Sequence, residues 1–177
     1  VSNREAVVDA LAANAVDLAI MGRPPQALET IAASFAPHPF VVIAAPGHPL
    51  ARRRRLPVAA LSDESFLVRE PGSGTRTAMQ GYFDEHGVVV RIGMEMASNE
   101  TIKQAVMAGM GVAFISRHTI SLELATGRLC VLDVQGLPLM RRWWQGLRER
   151  RAIERRAIPD ALWRSTLAHY PFLGGRS

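Results

Sequence analysis

The stretch FLVREPGSGTRTAMQGYF, residues 66–83, decides the reading of the chain. Phe66, Leu67 and Val68 form a short apolar run, and Pro71-Gly72 and Ser73-Gly74 are turn signals. After Thr75 the apolar residues Ala78, Met79, Tyr82 and Phe83 recur one turn apart, which predicts one face of a helix. The segment therefore reads as strand, tight loop and helix, with Ser73, Gly74, Thr75 and Arg76 where the helix begins. A helix N-terminus presents free backbone N–H groups and a partial positive charge, so it attracts anions. Gly74 would let backbone and ligand approach closely, Ser73 and Thr75 bring hydroxyls, and Arg76 offers a planar fork suited to carboxylate or phosphate. A plainer reading covers the same residues: a helix cap on Ser73 or Thr75 and a solvated arginine.

Downstream, the alternating run at residues 88–97 (VVVRIGMEMA) predicts a strand, and Ser98-Asn99-Glu100-Thr101 starts another helix. Ile102, Ala105, Val106 and Gly109 make its inward face. Lys103 lies one turn in, where it either adds charge to a site or is solvated. Residues 112–116 read as a strand, 120–125 as a short helix closed by Gly127, and 129–134 and 142–147 as strands. Pro159-Asp160 opens a last helix carrying Leu162, Trp163, Leu167 and Tyr170. Upstream, Ser2 to Glu5 fits the S-x-x-E capping box ahead of a helix bearing Val7, Val8, Leu11 and Ala12. Residues 16–21 and 40–45 (FVVIAA) read as strands, and 28–37 fit neither pattern. Residues 51–60, with four arginines and a proline, read as an exposed connection, and His48 in its Pro-Gly-His-Pro turn as a surface histidine. Alternating helices and strands predict a parallel sheet with crossover helices. A chain that opens on a capped helix suggests that something upstream was removed. Strand–loop–helix units at Val16, Phe66 and Val90 would gather ligands at the carboxyl ends of strands.

At 177 residues and 48% apolar composition the chain suits one domain or two small ones with an aliphatic core, since aromatics are 6%. Lysine and arginine outnumber acids 21 to 16, for a net charge of +5. The excess is local, in Arg52 to Arg55 and in seven arginines between 141 and 156, with no zinc-finger spacing or RNA-binding signature. It reads mostly as solvated surface, with non-specific contact to nucleic acid as the lesser alternative. The single cysteine, Cys130, cannot form an internal disulfide and fits a reducing compartment. No apolar run approaches the ~20 residues of a membrane span. G-x-G-x-x-G, Walker A and G-x-S-x-G motifs do not occur, and five scattered histidines form no metal-ligand spacing. Catalytic and metal-binding residues are therefore assigned to none, and an enzyme is poorly supported.

Taken together, residues 12–21 (AANAVDLAIM), 41–50 (VVIAAPGHPL), 66–76 (FLVREPGSGTR) and 99–116 (NETIKQAVMAGMGVAFIS) resemble the effector-binding domain of LysR-type transcriptional regulators. Gly127-Arg128-Leu129 and Gly136-Leu137-Pro138 ahead of Arg141-Arg142-Trp143-Trp144 fit as well. Within the family the likeness is to regulators of RuBisCO (Calvin cycle) operons. The basic segment after Trp144 departs from the pattern.

The resemblance implies an α/β fold of two Rossmann-like subdomains with a hinge, like a type 2 periplasmic binding protein. Subdomain I would be residues 1–49 and 139–177, and subdomain II residues 50–138. An N-terminal winged helix-turn-helix would be absent from this chain. The inter-subdomain cleft would hold a small phosphorylated or anionic metabolite; ribulose 1,5-bisphosphate, phosphoenolpyruvate and NADPH are the candidates, with no cofactor. The effector-binding residues would be Ser73, Gly74, Thr75, Arg76, Ser98, Asn99 and Lys103, joined by Asn3 and Arg4, which otherwise simply cap a helix. Further implied are a homodimer or homotetramer, promoter DNA held through the missing domain, RNA polymerase as a partner, no membrane and a cytoplasmic location. The rivals are a solute-binding protein of transport and an enzyme on the same two-lobed architecture. A secretory leader would favour the first, and turnover of a sugar phosphate lost on mutating Asp84 or Glu100 the second.

Overall fold

The Asn3 side-chain Oδ1 accepts the Ala6 N–H at 2.9 Å and caps α1 (Arg4–Ala12). The computed structural model describes residues 3–148 except 17, 23, 26, 27 and 29. Ser2 of the expected capping box and the helix expected after Pro159 lie outside the described residues. The cap is thus Asn3, one residue later than the S-x-x-E spacing indicated; asparagine is as good an N-cap as serine, so the pattern alone did not choose between them.

The chain divides into two compact units, Val1–Pro37 with Arg142–Ser177, and His38–Arg141. Two strands, β2 (Thr30–Ala44) and β7 (Leu139–Arg148), carry the chain across that division. In the first unit Leu11 of α1 packs on Ala19 and Met21, the inward residues of β1 (Leu18–Met21). β1 pairs antiparallel with β7, Leu18 opposite Leu147 and Met21 opposite Trp144. The ambiguous stretch at 28–37 is largely strand. Pro37 and Pro39 obscured it, because proline cannot donate to a ladder and is unusual inside a strand.

The second unit is built on a mixed sheet. β3 (Ser65–Arg69) runs parallel to β4 (Arg91–Met96). It is also bonded to the residue before β5 (Ala113–Ser116): the Leu67 N–H donates to the Val112 carbonyl at 2.8 Å, and the Val112 N–H to the Ser65 carbonyl at 2.9 Å. β2 then pairs antiparallel with β5, Phe40 opposite Ser116, and with the two-residue β6 (Cys130–Val131). The expected parallel sheet is therefore corrected to a mixed one. A strand that enters from another unit needs no crossover helix, so β2 adds antiparallel. After β1 the chain likewise leads to β2, with no helix among the described residues.

Alternation along the strands sorts the core into two faces. On one, α2 (Gly74–Glu85) lays Met79, Tyr82 and Phe83 on Phe40, Val42, Phe66, Val68 and Phe114. On the other, α3 (Asn99–Met107) lays Ile102 and Val106 on Val41, Ile43, Leu67 and Ile115. Each such side chain contributes about 1.5–3 kcal/mol when fully buried. Ile120, leading into α4 (Ser121–Ala125), closes the second face.

The connection at 51–60 holds two short 3-10 helices, Pro49–Arg52 and Val58–Leu61. Leu50, Leu56, Val58 and Leu61 anchor it in the core while Arg52, Arg53, Arg54 and Arg55 stay exposed. His48 has a structural role: its Nδ1 accepts the Leu50 N–H at 3.2 Å and its Nε2 faces Glu64 at 3.2 Å. Among the described residues no helix is long and apolar enough to cross a membrane.

Candidate functional site

Parallel pairing sets the site. Arg69, the last residue of β3, lies in register with Met96, the last of β4, so both strands end at one edge. Each feeds a short loop into a helix, α2 at Gly74 and α3 at Asn99, and the two helix N-termini therefore rise beside each other. Such ends hold unpaired N–H donors and favour negative charge.

The two loops are fastened by one guanidinium. Arg69 grips Glu70 with two bonds, Nε to Oε2 at 2.7 Å and Nη2 to Oε1 at 2.8 Å, and its Nη1 donates to Asn99 Oδ1 at 3.0 Å. The Arg69 hydrogen bonds hold the Glu70 carboxyl below its usual range. Arg76, one turn into α2, donates from Nη1 to the Arg69 carbonyl at 2.8 Å and reaches Glu95 Oε2 of β4 at 3.4 Å. Its Nε is buried and makes no hydrogen bond.

The two serines at the helix starts differ. Ser98 caps α3, its Oγ accepting the Thr101 N–H at 3.1 Å and lying 2.8 Å from Thr101 Oγ1. Ser73 occupies the N-cap position of α2 with extended backbone, yet its side chain makes no cap bond and is buried. Its carbonyl accepts the Thr77 hydroxyl at 3.2 Å. The first-turn N–H groups of α2 thus have no serine cap. The left-handed turn residue is Gly72, with φ 80, whereas Gly74 is the first helical residue. Thr75 follows it, half-buried.

Lys103 lies inside the fold. Its Nζ donates to Glu123 Oε1 at 2.8 Å and pairs with Glu100 Oε2 at 2.7 Å, with Lys103 and Glu123 both buried. Burial alone would lower the ammonium; hydrogen bonds and charge from the two carboxylates outweigh it and raise it. Asn3 and Arg4 belong to the other unit, where Asn3 caps α1 and Arg4 is its first residue.

Sequence reading did not single out Ser116, the carboxyl-end residue of β5, at the edge that β3 also reaches. It is 4% exposed, and its Oγ is buried without a hydrogen-bond partner. Beside its strand, buried His38 packs tilted against Phe40, ring centroids 4.3 Å apart, and lies 6.4 Å from the His118 ring. Burial first, and repulsion from His118 second, push the His38 pKa down to about 3. Nothing local in Ala-Phe-Ile-Ser marks Ser116; only strand pairing brings it to this edge. Among the described residues no group of His, Cys, Asp and Glu could hold a metal ion. The chemistry on offer is anion recognition by backbone N–H groups and hydroxyls on a frame stiffened by paired charges.

The sequence profile of the LysR substrate binding domain matches residues 1–158. The chain is 51% identical over 144 residues to the RuBisCO operon transcriptional regulator of Allochromatium vinosum, covering 81% of this chain and 48% of that protein. It is 52% identical over 149 residues to the HTH-type transcriptional regulator CbbR of Rhodospirillum rubrum, covering 84% and 49%. The chain thus spans about half the length of these curated relatives. Among solved structures, the Synechocystis PCC6803 CcmR regulatory domain in complex with 2-PG superposes with a TM-score of 0.83 at 36% identity, over 95% of this chain and 80% of that one. The effector binding domain of QuiR in complex with shikimate, 18% identical with a TM-score of 0.75 over 89% and 72%, shares the fold.

Proposed function

This chain belongs to the LysR substrate-binding domain family, and from that premise we propose that it senses a small phosphorylated metabolite for a transcriptional regulator of carbon-fixation genes. One observation carries the reading. The N-termini of α2 and α3 stand side by side at the carboxyl ends of β3 and β4, joined by the Arg69–Asn99 bond. Ser73, Gly74, Thr75, Ser98 and Asn99 supply backbone N–H and hydroxyl donors to the anion, while Arg76 and Lys103 set the local field and hold the frame. The effector acts by binding, without turnover. It shifts the regulator only to the extent that it binds one conformation better than another. The complete protein works in the cytoplasm as a homodimer or homotetramer, holding promoter DNA through a domain outside this chain and acting on RNA polymerase. The relatives' names support this reading, and the 2-PG complex of the CcmR domain supports a phosphorylated effector.

Thermal unfolding of the 177-residue chain against ribulose 1,5-bisphosphate, phosphoenolpyruvate, NADPH, 2-phosphoglycolate and sulfate tests it. A true effector at 100 times its Kd stabilises by about 2.7 kcal/mol, and Thr75→Ala shrinks that shift. No shift with any of the phosphorylated compounds, or a shift untouched in Thr75→Ala, overturns the assignment of the site.

A further inference from the structure

The arginines at 52–55 have no part in the site described above, and the structure leaves them unneutralised. All four side chains are exposed, and none enters an ion pair or a side-chain hydrogen bond among the described residues. The backbone beneath them is held firmly. Leu50, Leu56 and Val58 are buried on either side. The Leu56 N–H donates to the Asp133 carbonyl at 2.7 Å, and the Gln135 N–H to the Leu56 carbonyl at 2.9 Å. Arg55 sits in the left-handed region at φ 48, and its carbonyl accepts Gln135 Nε2 at 3.3 Å. A long arginine is thus kept where glycine or asparagine would fit with less strain. Four free guanidinium groups are therefore carried on a pinned strap rather than on a loose tail.

We propose that this strap is a sequence-independent contact for the phosphate backbone of double-stranded DNA. Its chemistry selects that partner. The apolar residues of the segment point inward, so the surface offers cations without the buried aromatic or aliphatic anchor that a protein interface needs at its centre. It carries no aromatic side chain, so it provides no platform for unstacked bases of a single strand. A duplex asks only for charge: it presents one negative charge per ~1.7 Å of axis. The contact positions the duplex and reads no bases. The choice of DNA as the polyanion rests on the reading of the whole protein as a promoter-bound regulator; the free positive strap does not.

Fluorescence anisotropy of the 177-residue chain with a labelled duplex of arbitrary sequence, followed from roughly 50 to 200 mM salt, tests the proposal. The chain binds at the low-salt end, and log K falls with log salt. The triple variant Arg52→Gln, Arg53→Gln, Arg54→Gln binds about tenfold or more weakly there, with the slope shallower by about 0.9 for each phosphate that is no longer neutralised. A charge-matched control, Arg91→Gln, Arg117→Gln, Arg128→Gln, keeps both affinity and slope. Circular dichroism and thermal unfolding establish that both variants are folded. Failure of the wild-type chain to bind, equal losses in the two variants, or tighter binding to an acidic polypeptide than to the duplex each overturn it. The anion-induced thermal shifts of the effector site are independent of all these outcomes.

Discussion

Two groups of basic side chains divide the labour of the second unit, and they differ in what they touch. Around the helix starts every cation is held by the protein itself. Arg69 is shared between Glu70 and Asn99, Arg76 between the Arg69 carbonyl and Glu95, and Lys103 between Glu100 and Glu123. On the strap at 52–55 four exposed arginines have no protein partner for their charge among the described residues. Counting charges along the chain ranks these residues equally. Their environments do not: a cation near low-dielectric surroundings must be neutralised, whereas an exposed one is free to meet a partner. The proposed anion site would therefore rest on backbone donors and hydroxyls, with its arginines as scaffolding.

Mutation breaks this contrast most sharply at Lys103. Lys103→Ala strands the buried Glu123 carboxylate and costs about 3 kcal/mol or more, seen as a lower urea midpoint. Pairing Lys103→Met with Glu123→Leu recovers much of that loss, because no charge is left unpaired. A loss no larger than a surface change would mean that Lys103 is solvated and available to ligand.

His38 gives the next effect, through pH. It is neutral in the fold, with a pKa lowered from 6.5 to about 3, so the unfolded chain binds the extra proton between those values. Its contribution is complete above pH 6.5 and is lost as the pH falls toward 3. Unfolding at pH 5 against pH 7 should show a loss of about 2 kcal/mol that His38→Gln abolishes. Arg76→Gln comes third: it removes the bond to the Arg69 carbonyl and costs about 1–2 kcal/mol. Smallest is the strap, where Arg52→Gln, Arg53→Gln and Arg54→Gln together change stability by less than about 0.5 kcal/mol. A large loss there would mean that these arginines are structural, and the contrast would collapse.

Legibility followed the range of the forces. The segment at 66–83 was readable because its signals are local: an apolar run, Gly72 at a left-handed turn, and Met79, Tyr82 and Phe83 at helical spacing. Ser98 was readable as a helix start for the same reason. The stretch at 28–37 was not, since its strand character comes from pairing and its prolines mask it. The expected strand at 129–134 shrank to Cys130–Val131, the two residues in register with Ala44 and Ile43 of β2, with one further bond from the Leu132 N–H to the Val42 carbonyl at 2.9 Å.

By itself the sequence determined the family and most of the elements, which arise from side-chain periodicity and turn chemistry acting over a few residues. Strand direction was decided by tertiary structure alone, with β2 antiparallel beside the parallel pair β3 and β4. So were the partners of the charges: Glu95 reaches Arg76 from 19 residues away and Glu123 reaches Lys103 from 20. Neutralisation of a buried charge depends on distance through space, and distance along the chain carries no record of it.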